Sequence, residues 1–77
     1  MERRAIGSSM LLSVGYDADD QVLEVVFANG RTYRYERVPE LVHRRLLTAP
    51  SAGAFFNAEI RDHYVSERVR GGEPGRS

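Results

Sequence analysis

Asn57, Glu59, Arg61, Asp62 and His63 form the densest polar cluster in the chain. General acid–base chemistry needs two carboxylates, or a carboxylate and an imidazole, converging in a cleft that shifts their pKa values. Glu59 and His63 are four residues apart and face each other if a helix runs that far, which reads as an exposed helix pair. Asn57 follows a Phe-Phe pair and is expected to bond backbone. Arg61 either pairs with an acid inside the fold or joins Arg44 and Arg45 in a basic surface. Ser8, Ser9 and Ser13 have no His/Asp partners at a nucleophile's spacing, and Gly7-Ser8-Ser9 is not a phosphate loop. Without cysteine, and with only His43 and His63, the chain can offer neither thiol chemistry nor a closed four-ligand zinc site. No catalytic residue, cofactor or metal site is expected.

Two further sets of residues suit recognition. Tyr33 and Tyr35 are two apart on one strand, so their rings share a face; such a pair either closes a core or stacks nucleobases. Arg31 and Arg37 fall on the same face by alternation, and Arg34, Arg44 and Arg45 make this stretch locally basic. Tyr16 and Asp17 form the second set. As structure, the ring packs with its hydroxyl at the rim while Asp17 caps a turn; as function, they are a polar recognition site, with Asp17 accepting from a ligand or from Arg34.

These residues need a scaffold, and the hydrophobic pattern describes one. From Leu12 to Val38 the period is near two, broken by the turns Asp17 to Gln21 and Asn29-Gly30. Asn29-Gly30 predicts a type I′ hairpin turn with positive φ at both residues. A three-stranded antiparallel meander over about 11–17, 22–28 and 31–37 follows. Its core face carries Leu12, Val14, Tyr16, Leu23, Val25 and Phe27, and its outer face Glu24, Val26, Arg34 and Glu36. At Pro39 the rhythm becomes helical. Proline suits the first helical position, and a helix over about 39–48 buries Leu41, Val42 and Leu46 while His43 and Arg44 face water. It must stop before Pro50. Ser51 caps a second helix over about 51–61 that buries Phe56 and Ile60. Tyr64 to Val69 is a candidate short C-terminal strand. One helical layer over one meander makes an α+β fold.

Composition bounds the function classes. Eleven Arg, no Lys and eleven acids give a formal net charge of zero, which opposes a strong nonspecific hold on nucleic acid or anionic lipid. The layout is uneven, with five Arg against two acids over 31–45. No apolar run approaches the ~20 residues that span a bilayer, so a soluble cytoplasmic protein without a membrane role is expected. The Gly/Pro-rich stretch 70–77 reads as a disordered tail after a single domain over 1–69.

The runs Ser13-Val14-Gly15-Tyr16-Asp17, Leu23 to Gly30, Tyr33-Arg34-Tyr35 and Val38-Pro39 resemble the KTSC domain, as do Ser51 to Asn57 and Ile60-Arg61. The likeness extends from about 8 to 69. It departs at Ser13, where an apolar residue is usual, and in having no lysines. The resemblance implies a small domain found alone in bacteria or at the C-terminus of some lysyl-tRNA synthetases. It implies little activity and a link to tRNA only by proximity. The expected function is therefore a non-enzymatic binding domain with RNA or a ribonucleoprotein as first candidate partner. The alternative is a protein–protein or homodimerisation module. Arg31, Tyr33, Arg34, Tyr35, Arg37, Arg44 and Arg45 are the candidate contacts, and Tyr16, Asp17, Asn57 and Arg61 the candidate polar recognition residues.

Overall fold

A computed structural model describes residues 2–5 and 10–69, with side chains from Met10 onward. The expected tail 70–77, and Ser8 and Ser9, lie outside the described residues. The fold is α+β. Its sheet runs β1 (Glu2–Ala5), β2 (Leu11–Asp17), β3 (Val22–Phe27), β4 (Thr32–Tyr35) and β5 (Ser66–Val69), each antiparallel to its neighbour and in chain order. Between β4 and β5 the chain forms α1 (Glu40–Thr48), α2 (Ala52–Phe55) and a π-helical turn (Phe56–Ile60). The expected meander and C-terminal strand are present; β1 is an addition.

The hairpin between β3 and β4 is tied by Phe27 N–H to Arg31 C=O at 2.8 Å and Gly30 N–H to Phe27 C=O at 2.9 Å. Only Gly30 in this loop has positive φ, at 89°. The turn is thus a three-residue loop ending in a left-handed glycine rather than type I′. Asn29 serves it differently, its Oδ1 accepting from Arg31 N–H at 2.9 Å. In the preceding turn Asp17 Oδ1 accepts from Asp19 N–H at 3.0 Å and Asp20 N–H at 3.3 Å, the capping role anticipated for it.

One expected core face is corrected by a β-bulge. Leu11 opposes Phe27 and Ser13 opposes Val26, so Leu12 is the additional residue between them. The bulge shifts the alternation by one: Leu11 and Val14 are fully buried, whereas Leu12 is 49% exposed. Downstream the phase holds, with Leu23 and Val25 buried and Phe27 packed against the same core.

Pro39 is the N-cap of α1 rather than its first residue, because its ψ of 150° is extended. Val38, Val42 and Leu46 stack at four-residue spacing toward the sheet. Leu41 lies a residue off that stripe and is 62% exposed, not core. His43 is half-buried rather than solvent-facing, stacked on Tyr16 with ring centroids 4.6 Å apart. The helix ends at Ala49, before Pro50. Ser51 Oγ then accepts from Ala54 N–H at 3.3 Å, capping α2 as its position implied. Phe56 and Ile60, both buried, close the core against Leu11, Leu23 and Tyr35.

Candidate functional site

Alternation along β4 sorts its residues between two different surfaces. Tyr33 and Tyr35 point to the helical side, opposite Val25 and Leu23 on β3 and opposite Arg68 and Ser66 on β5. The helices cover this side incompletely. Beyond Phe56 an open groove of about 390 Å³ remains between the sheet and the π turn. Its floor is Phe27, Tyr33, Tyr35 and Phe56, and its rim carries Arg31, Asn57, Arg61 and Asp62. Tyr35 is 4% exposed, so it cannot offer a ring face to a base; Tyr33 is only half-buried and can. The floor is a lattice of edge contacts, Phe27 to Tyr33 at 5.6 Å and Phe56 to Tyr35 at 5.4 Å, which fixes the Tyr33 plane.

The π turn brings the polar rim into place. Arg61 N–H bonds Phe56 C=O at 2.9 Å, a five-residue step. One such wide turn lets Phe56 and Ile60 both enter the core while Asn57, Arg61 and Asp62 border the groove. Arg61 Nη1 donates to Asn57 Oδ1 at 3.5 Å, and Asn57 Nδ2 contacts Met10 Sδ at 3.8 Å. Asn57 thus bonds side chains and not backbone as expected. The Glu59 and His63 pair does not form: the wide turn removes helical spacing, and His63 Nε2 lies 3.1 Å from Ala58 C=O instead.

The arginines expected to act together are divided. Arg31 borders the groove beside Tyr33. Arg34 lies on the other sheet face, opposite Glu24 and Glu67. Arg37, with φ of 58°, lies past the end of β4, and it borders the same outer concavity as Arg34, Asp20, Glu36 and Glu67. It does not share the Tyr33 face, because the strand alternation stops at Tyr35. Three acids there offset two guanidiniums. Arg44 pairs with Glu40 at 3.7 Å, and Arg45 lies over the Phe55 ring at 5.9 Å. Asp62 and Met10 join the groove without having been singled out for recognition. The dense 57–63 cluster was the available signal for Asp62; nothing in the strand pattern placed Met10 there.

Tyr16 serves the fold. Its hydroxyl donates to Val38 C=O at 2.5 Å, joining β2 to the start of α1. Burial, and then the negative charges of Glu40 and Asp17, raise its pKa above the ordinary 10.0. Burial also raises the Tyr35 pKa, with Tyr33 and Asp62 adding to the shift and Arg61 opposing it. A folded-state pKa above the unfolded one gives stability that is complete below about pH 10 and is lost as pH rises through the folded value. The urea midpoint is therefore expected to hold from pH 7 to 9 and to fall above about pH 10. A Tyr16→Phe, Tyr35→Phe variant should fall less steeply; an equal slope would refute the linkage.

Among the described residues no group of three or more His, Cys, Asp or Glu side chains could hold a metal ion, and no helix is long and apolar enough to cross a membrane. Comparison with known proteins agrees with the fold. The chain is 49% identical over 70 residues to an uncharacterized protein of Stutzerimonas stutzeri, covering 90% of this chain and 99% of the other. It is 33% identical over 61 residues to a lysine–tRNA ligase of Nostoc punctiforme, covering 79% of this chain but only 11% of the ligase. A crystal structure of a KTSC domain protein from Yersinia pestis superposes with a TM-score of 0.83 at 38% identity, over 88% of this chain and 96% of that one. The family model for the KTSC domain matches residues 7–64, and the chain belongs to that family.

Proposed function

We propose that the chain is a non-enzymatic binding domain whose groove receives an unpaired RNA nucleotide. The observation that carries this reading is Tyr33, a half-buried ring held edge-on by Phe27 and bordered by the guanidiniums of Arg31 and Arg61. An aromatic face beside fixed cations is how sequence-tolerant binders hold a base and its phosphate. The volume of about 390 Å³ lies in the range of small-ligand pockets and leaves no room for a duplex. The related segment within a lysine–tRNA ligase supports an RNA setting.

The test is a low-salt titration with tRNA and with single-stranded RNA. Binding is expected, and Tyr33→Ala should weaken it by about 1–3 kcal/mol, the usual cost of losing one base stack. No measurable affinity for either RNA would sink the reading.

A homodimer or protein-interaction module is the second reading, favoured by the exposure of Leu12, Leu41 and Val65. Of the two edge strands, β1 and β5, the second carries Glu67 and Arg68, both exposed, and charges on an edge oppose edge-to-edge pairing there.

A further inference from the structure

Tyr35 presents a feature that packing leaves unexplained. Its side chain is 4% exposed, yet its hydroxyl has no hydrogen-bond partner among the described residues. Buried phenols usually have one. The residue borders the groove, and its ionisation is influenced by Arg61 and Asp62, which border it too. The groove is therefore lined by a buried donor and by the Asp62 carboxylate, for which no ion-pair or hydrogen-bond partner is found among the described residues.

Resting on the RNA reading above, we infer that this pair reads the Watson–Crick edge of guanine. Guanine alone among the four RNA bases presents two adjacent N–H donors, N1 and N2, flanked by an acceptor, O6. The Asp62 carboxylate accepts from both donors, and the Tyr35 hydroxyl donates to O6. Adenine and cytosine turn a ring-nitrogen lone pair toward the carboxylate, and uracil offers a single donor between two acceptors. The rest of the groove follows in order along β4. Arg31, Tyr33 and Tyr35 share a face at two-residue intervals, so Arg31 and Tyr35 stand roughly 13 Å apart along the strand. That order places phosphate at Arg31, the base plane on Tyr33, and the base edge at Tyr35 and Asp62. Asn57 holds Arg61 at 3.5 Å, at the same rim.

The experiment is fluorescence anisotropy with short uridine-rich oligoribonucleotides carrying one central guanosine, inosine, adenosine or cytidine. The guanosine oligomer should bind about tenfold more tightly than the adenosine one, within the range of a bidentate contact. Inosine, which lacks the N2 amine, should fall between them. In Asp62→Asn, an exposed position, the preference should shrink to about twofold or less. Any general gain from removing a negative charge would act on all four oligomers alike and leave their ratio unchanged. Tyr35→Phe retains the ring and should weaken guanosine binding selectively. Equal affinity for all four would overturn guanine selectivity and leave the RNA reading standing. A guanine preference that survives Asp62→Asn would overturn the assigned contact. No binding of any oligomer would overturn both proposals.

Discussion

Truncating Phe56 to alanine is expected to cost about 3–5 kcal/mol of folding free energy, the range for deleting a buried aromatic. Phe56 is 1% exposed and meets the edges of Phe27 at 5.3 Å and Tyr35 at 5.4 Å. It also begins the π turn, so its loss opens a cavity between the sheet and the segment that carries Asn57 and Arg61. A chain of 77 residues has a total stability of order 4–12 kcal/mol, taking about 0.05–0.15 kcal/mol per residue. The substitution therefore removes from about a quarter to all of it. Leu41→Ala is the control. Leu41 reads as core from helical periodicity but is 62% exposed, and its truncation should stay within about 0.5 kcal/mol. Urea denaturation of both variants distinguishes them; similar losses would overturn the assignment of the core.

Another pair, Leu11 and Leu12, marks what was legible in the chain. Period-two alternation located β3 and β4 because each pairs on both sides and needs a consistent inward face. In β2 the alternation was correct from Val14 onward and wrong before it, since one bulged residue exchanges Leu12 for Leu11 and the two are chemically identical. The strand β1 carries Glu-Arg-Arg-Ala, with no apolar rhythm, and its register with β2 is what defines it. Composition cannot announce backbone pairing of that kind.

The groove was legible in part for a related reason. Tyr33 and Tyr35 were placed on one face by spacing alone, but the coverage of that face depends on where a helix ends. A π turn, not a regular α-helical continuation, sets that limit, and nothing in Phe56 to Ile60 distinguishes the two by helical propensity. The grouping of the arginines failed at Arg37 because a left-handed residue ends strand alternation abruptly. Arginine count over 31–45 was therefore a poor measure of positive field: Arg34 and Arg37 share their concavity with Asp20, Glu36 and Glu67.

That division yields the second large expected effect. Single-stranded RNA releases about 0.7 counterions for each phosphate a cation neutralises, so each lost contact flattens the salt dependence of log affinity by about 0.7. An Arg31→Ala, Arg61→Ala variant should thus lose about 1.4 from that slope and bind at least tenfold more weakly at low salt. An Arg34→Ala, Arg37→Ala variant removes the same formal charge, but from a surface where acids already offset it. Its slope and affinity should match the unaltered chain within about twofold. Equal losses in the two variants would mean that RNA responds to total charge rather than to the groove. In that case the half-buried Tyr33 ring would be a wall of the core and nothing more.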